Sequence, residues 1–375
     1  MIPEHVFAET LLQFFAPIRP FLDDPSVSEV MINGPSRIFV ERRGQLELTT
    51  ACFRDGDALD AALRNLAQYV GKHVDRDRPI LEARLPDGSR VEAVLPPAAP
   101  DGPHVAIRRF SKETLTVERL VSFGALTEDA ADALRVMVAA KLNVLVAGGT
   151  GSGKTSLLNA LSSFIPERER VVVIEDSREL QLQQAHVVQL EARPPGPRGA
   201  GAVSIRDLFR ATLRMRPDRI VVGEIRGGEA LDLVQAMTSG HGGCLSTLHA
   251  TYPRDTMTRL ETMAMMNELQ MPLFALRLQL VSALDLIVQM ARHPDGSRKV
   301  THISEVVEFS QTEGEYLLED LFLRTYQARP DGTMHDELLP TGHLPRAYAR
   351  IREHGFELPE AMLEAARRRK EAFCA

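Results

Sequence analysis

Gly148-Gly149-Thr150-Gly151-Ser152-Gly153-Lys154-Thr155 follows the apolar stretch Leu142 to Ala147 and precedes the helical pattern Ser156 to Ser163. Strand, glycine-rich loop and helix in that order form a complete P-loop. The glycines let the backbone curl so that its N–H groups point inward at a triphosphate. Lys154 can reach the terminal phosphates, the Thr155 hydroxyl can ligand Mg²⁺, and Ser156 continues the cradle into the helix. The positive end of that helix adds to the attraction. The loop therefore assigns nucleotide binding to Gly148 through Ser156.

Hydrolysis needs further groups, to orient water and to hold the metal and the developing charge. Glu175-Asp176 directly follows the apolar run Val171 to Ile174, and Gly223-Glu224 follows Arg219 to Val222. Carboxyl ends of strands are where ligands sit in open parallel sheets. The second nucleotide motif commonly ends its strand in Asp, whereas this chain has Gly223-Glu224. Glu224 is accordingly assigned to the metal through a water, and Glu175 to positioning the attacking water. His241 and His249 flank the short run Cys244 to Thr247. Their spacing does not suit a zinc-binding helix face; an imidazole beside a γ-phosphate can instead sense its presence. Arg206, Arg210 and Arg214 recur every four residues along one helix face, which reads as a solvated face or as a subunit interface.

Around the loop the signals alternate helix and strand from Thr127 to Thr247, which predicts a largely parallel sheet covered on both faces. Before it, helical spacing over Pro3 to Phe21 and Asp55 to Val74, strands at Ser28 to Asn33, Arg37 to Glu41 and His104 to Phe110, and a hairpin around Pro86-Asp87-Gly88-Ser89 predict a small α+β domain. The boundaries expected are 1–110 for this domain, 111–125 for a linker, 126–309 for the nucleotide domain and 310–375 for a C-terminal extension. Residues 193–202, rich in Pro and Gly, read as a long loop.

Composition narrows the class. The 375 residues are 44% hydrophobic and 25% charged, as in an ordinary globular protein. No apolar run reaches the roughly 20 residues that span a bilayer, and the first residues lack the basic start of a signal peptide, so a cytoplasmic protein is expected. Three scattered cysteines indicate neither a disulfide framework nor a zinc site. A net charge of −7, 5% aromatics and no Trp argue against a nucleic-acid channel, which needs a basic groove with stacking platforms.

Four segments together resemble a family. The P-loop, Val171 to Leu180, Leu213 to Arg226 and Ser239 to Ala250 resemble the P-loop, Asp-box, atypical Walker B and His-box of the type II/IV secretion ATPases. Ser28 to Gly34, Val40 to Gly44, Ala83 to Val91 and Ile107 to Phe110 resemble the N-terminal domain of CpaF, the Tad/Flp pilus assembly motor, with VirB11 and TrbB close behind. The resemblance implies a RecA-like P-loop motor domain preceded by a smaller α+β, PAS-like domain. It implies a homohexameric ring that hydrolyses ATP with Mg²⁺ at the cleft between the two domains. The ring would work at the inner membrane through platform proteins. The family's site residues fall on Lys154, Thr155, Glu175, Glu224, His241 and His249, and its N-terminal, nucleotide-facing arginines on Arg90 and Arg109. A VirB11-type conjugation ATPase is the alternative, with a RecA-like nucleic-acid translocase or a non-hydrolysing P-loop switch behind it.

Overall fold

A computed structural model describes residues 4–110, 115–196, 201–269, 271–328 and 334–374. The chain divides into two units, Met1–Glu113 and Thr114–Ala375, each with its own core.

The first unit opens with helices α1 (Glu4–Phe14) and α2 (Arg19–Asp23), followed by strands β1 (Val27–Asn33), β2 (Ile38–Arg42) and β3 (Gln45–Leu48). Helix α3 (Gly56–Tyr69) then leads to β4 (Ile80–Arg84), β5 (Arg90–Val94) and β6 (His104–Arg108). Asp55 starts α3 by accepting the Ala58 N–H at 2.8 Å, and Leu59, Ala62, Leu63, Leu66 and Ala67 form its buried stripe at helical spacing. The strands pair antiparallel in the order β3-β2-β1-β6-β5-β4. One face of the sheet buries Leu81, Ala93, Val105, Ile32 and Ile38, which are cross-strand neighbours. Period-two alternation sends Arg84, Arg90, Arg108, Glu29 and Glu41 to the other face in a single row.

The second unit runs α4 (Val117–Ser122), α5 (Glu128–Ala139), β7 (Val144–Gly148), α6 (Lys154–Ser162), β8 (Val171–Glu175), β9 (Val187–Glu191), α7 (Ile205–Thr212), β10 (Arg219–Val222). It continues through α8 (Glu229–Thr238), β11 (Leu245–His249), α9 (Pro253–Met265), α10 (Leu273–Ala283), β12 (Leu286–Arg292), β13 (Arg298–Ser310), β14 (Glu315–Ala328) and β15 (Met334–Pro340), and ends in α11 (Tyr348–Glu353) and α12 (Glu360–Cys374). The nine strands lie in the order β15-β14-β13-β12-β7-β11-β10-β8-β9. From β12 to β9 every pairing is parallel, and β13 to β15 add an antiparallel flank. Val144 and Val146 of β7 bury against α5 and α6, while the alternating Leu145 and Ala147 join the core on the side of α8 to α10. A mostly parallel sheet covered on both faces is the expected architecture, with a smaller α+β unit ahead of it.

Two segments differ from the sequence expectation. Residues 115–125, read as linker, contain α4, whose Val117 and Leu120 belong to the second core; residues 111–114 of that linker lie outside the described residues. Residues 310–375, read as an extension, supply β14 and β15 to the sheet, and Ile351, Leu358 and Met362 to its core. The loop 193–202 is pinched by an antiparallel bridge between Arg193 and Val203, with 197–200 outside the described residues. Among the described residues no helix is long and apolar enough to cross a membrane.

Candidate active site

Because β7, β8, β10 and β11 are parallel and in register, their carboxyl ends deliver the P-loop, Glu175, Glu224 and His249 to one edge of the sheet. Three of the loop's four glycines are sterically required. A Cβ on Gly148 would stand 2.4 Å from Ser152 Oγ and 2.7 Å from the Met290 carbonyl, and Gly151 and Gly153 take φ of +70° and +93°. Ser152 Oγ donates to the Gly149 carbonyl at 2.8 Å, which fixes the curl. Gly149 and Thr150 are exposed at its tip; Thr155 and Ser156 lie half-buried in the first turn of α6.

From the loop a chain of polar contacts runs across the strand ends. Lys154 Nζ donates to the Gly149 carbonyl at 3.0 Å and lies 3.3 Å from His249 Nδ1. His249 Nε2 is 2.9 Å from Glu224 Oε1. The other oxygen of Glu224 accepts from Arg226 at 2.8 Å, and Arg226 also pairs with Asp176 at 2.7 Å. Burial, with the Lys154 ammonium next, depresses the His249 pKa below its usual value, which favours the neutral ring. Lys154 Nζ lies within 3.5 Å of both ring nitrogens, and the Glu224 carboxylate beside Nε2 favours the tautomer that carries the proton there and donates it to Glu224.

Glu175 behaves differently from Glu224. Its Oε1 accepts the Glu179 and Leu180 amides, both at 2.9 Å. Burial nevertheless dominates and pushes its pKa up to about 7. Gly223 explains why no larger residue stands before Glu224: a Cβ there would lie 2.9 Å from Glu175 Cγ.

Not every expected residue joins this group. His241 precedes the amino end of β11, so the full length of that strand separates it from His249 at the opposite edge of the sheet. Its carbonyl accepts from Cys244 Sγ. Arg109 spends its guanidinium inside its own unit, donating to the carbonyls of Leu22, Asp24 and Val27 and so clamping the turn between α2 and β1. Arg90, by contrast, stands between Arg84 and Arg108 in directly paired positions. The same row continues through Glu29, directly paired with Arg108. Arg206 and Arg210 bridge to Asp232 on α8, at 3.0 and 3.4 Å, and the Arg210 side chain stays 56% exposed.

The residue that sequence reading passed over is Arg226, two positions beyond Glu224, where the ladder has ended. Its signal was present in Gly223-Glu224-Ile225-Arg226, but only the fold shows that it joins two acidic groups. Among the described residues no cluster of three or more His, Cys, Asp or Glu forms a metal cage. A hydroxyl at Thr155 and a carboxylate at Glu224 are hard oxygen donors that fit Mg²⁺ held mainly by phosphates and water.

The sequence profile described as type II/IV secretion system protein matches residues 12–321. The chain belongs to the type II/IV secretion system protein family. It is 37% identical over 308 residues to the type IV secretion system protein PtlH of Bordetella pertussis, covering 75% of this chain and 91% of PtlH. It is 34% identical over 289 residues to the conjugal transfer protein TrbB of Rhizobium radiobacter, covering 75% and 85%. Among solved structures, the Legionella pneumophila ATPase DotB shares the fold, with a TM-score of 0.56 and 21% identity over 80% of this chain and 82% of DotB.

Proposed function

We propose that this protein is an ATP-hydrolysing motor of a secretion system of the VirB11 and conjugal-transfer type. The observation that carries the proposal is the contact chain Lys154–His249–Glu224–Arg226–Asp176 laid across the P-loop, with the buried Glu175 beside it. In this reading the loop amides and Lys154 hold the phosphates. Thr155, and Glu224 through a water, would hold Mg²⁺, which would supply positive charge to offset that of the phosphates. Glu175, with a pKa of about 7 and one oxygen fixed by two amides, is matched to accepting a proton from the attacking water. His249 ties Lys154 to Glu224 and so registers the terminal phosphate. Arg90 remains the candidate nucleotide-site arginine of the first unit in this reading; Arg109, clamped on carbonyls, is a positioning residue.

PtlH and TrbB, each matched over most of its length, favour type IV secretion or conjugation over the Tad/Flp pilus reading that the N-terminal motifs put first. A homohexameric ring, a cytoplasmic site of action and membrane platform partners follow from the same reading. The test is Glu224→Gln. The variant is expected to bind ATP with unchanged affinity by calorimetry and to release phosphate about 100-fold more slowly; phosphate release at the wild-type rate would remove Glu224 from the site.

A further inference from the structure

We propose that Gln289 of β12 is a positioning residue for His249: its side-chain amide fixes the backbone that carries the imidazole between Lys154 and Glu224. The inference rests on the nucleotide reading above and adds a residue that neither the P-loop nor the strand-end motifs contain. β11 ends at His249, so the carbonyls of Ala250 and Thr251 have left the ladder and need donors from elsewhere. Gln289 Nε2 donates to both, at 3.1 Å each.

Strand register makes this reach possible. Gln289 pairs with Ala147 of the P-loop strand, and Ala147 pairs with Leu248 on its other side. Paired residues share a face of the sheet and successive residues alternate, so Gln289, Ala147, Leu248 and Ala250 lie on one face and His249 on the opposite one. The small methyl of Ala147 leaves room for the Gln289 side chain to cross β7 and meet the chain two strands away. Ala250 is also held through its own N–H, which donates to the Gly148 carbonyl at 3.3 Å. With the amide and the carbonyl of Ala250 both fixed, the direction in which the chain leaves His249 is fixed too. That direction sets the approach of the ring to Lys154, at 3.3 Å, and to Glu224, at 2.9 Å.

Burial separates this role from packing. Gln289 is 2% exposed, in a layer otherwise made of apolar side chains such as Ala147, Leu248 and Ile287. Its Oε1 is buried with no hydrogen-bond partner among the described residues. An orphan oxygen in such a layer costs stability, so packing alone is served better by an apolar side chain of the same shape. What the amide supplies is the pair of donations behind His249.

The experiment measures single-turnover phosphate release from Mg·ATP, and ATP affinity by calorimetry, on the full chain. The proteins are wild type, Gln289→Met, Gln289→Glu, His249→Ala and the double variant His249→Ala with Gln289→Met. Methionine keeps the shape and removes the donors; glutamate, held protonated by burial, keeps one. Gln289→Met is expected to release phosphate about tenfold more slowly, with ATP affinity within about twofold of wild type. Gln289→Glu is expected at an intermediate rate, and it carries the same comparison should the methionine variant fail to fold. Adding Gln289→Met to His249→Ala is expected to cause no further slowing, because the two residues act through one contact. An unchanged rate in Gln289→Met, or a loss that repeats in full on the His249→Ala background, would overturn the inference. His249→Ala releasing phosphate at the wild-type rate, or a wild type that binds ATP without turnover, would instead overturn the reading of the site on which it rests.

Discussion

Glu175 shows how one residue can tie stability to chemistry. Its carboxyl titrates near 7 in the folded chain against 4.5 ordinarily, because burial outweighs two amide hydrogen bonds. The native state therefore binds the extra proton between about pH 4.5 and 7, and this group's contribution to stability is lost as pH rises through that window. Thermal melts from pH 5 to 8 should show Glu175→Gln gaining on wild type toward high pH, by on the order of 1–3 kcal/mol; parallel curves would contradict the burial account. Gly223→Ala probes the same carboxyl from its neighbour. The added methyl must displace the Glu175 side chain, so kcat is expected to fall about tenfold while the melting temperature changes little. At this scale Lys154 and Thr155 were legible because their chemistry lies in eight consecutive residues. Arg109 was not, since only the folded chain brings its guanidinium against carbonyls more than 80 residues earlier.

Among elements, β7 and α6 could be read from local rules: a short apolar run, positive-φ glycines and a helix start. The strands β9 and β14 could not. β9 is half-exposed along its length, and β14 has only short buried runs, so neither shows the continuous apolar signal of a central strand. What holds β14 is partly polar. Arg324, 2% exposed, donates to the carbonyls of Val300, Gly124 and Ala125 and pairs with Asp336, joining the beginning of the second unit to its end. Arg324→Ala leaves those carbonyls and the Asp336 carboxylate short of partners. Urea unfolding is expected to show a loss of about 3–5 kcal/mol; a loss below about 1 kcal/mol would show that the β14 and β15 flank is independent of this guanidinium.

Across the whole molecule, the decisive fact is that one parallel sheet gathers groups from positions 148, 175, 224 and 249 at one edge and sends position 241 to the other. Helix and strand alternation made the sheet predictable, but the side of each histidine depended on strand direction, which spacing alone does not encode. The first unit contributes a separate core and a row of three arginines, a pattern that needs strand register to be seen. The central claim is that the P-loop edge hydrolyses ATP. Its most direct measurement is steady-state phosphate release from Mg·ATP by the purified full chain and by Lys154→Ala. The account predicts turnover in the wild type and a loss of at least about 100-fold in the variant, with the fold intact by circular dichroism. Equal rates in the two proteins, or no turnover by a wild type that binds ATP, would contradict it.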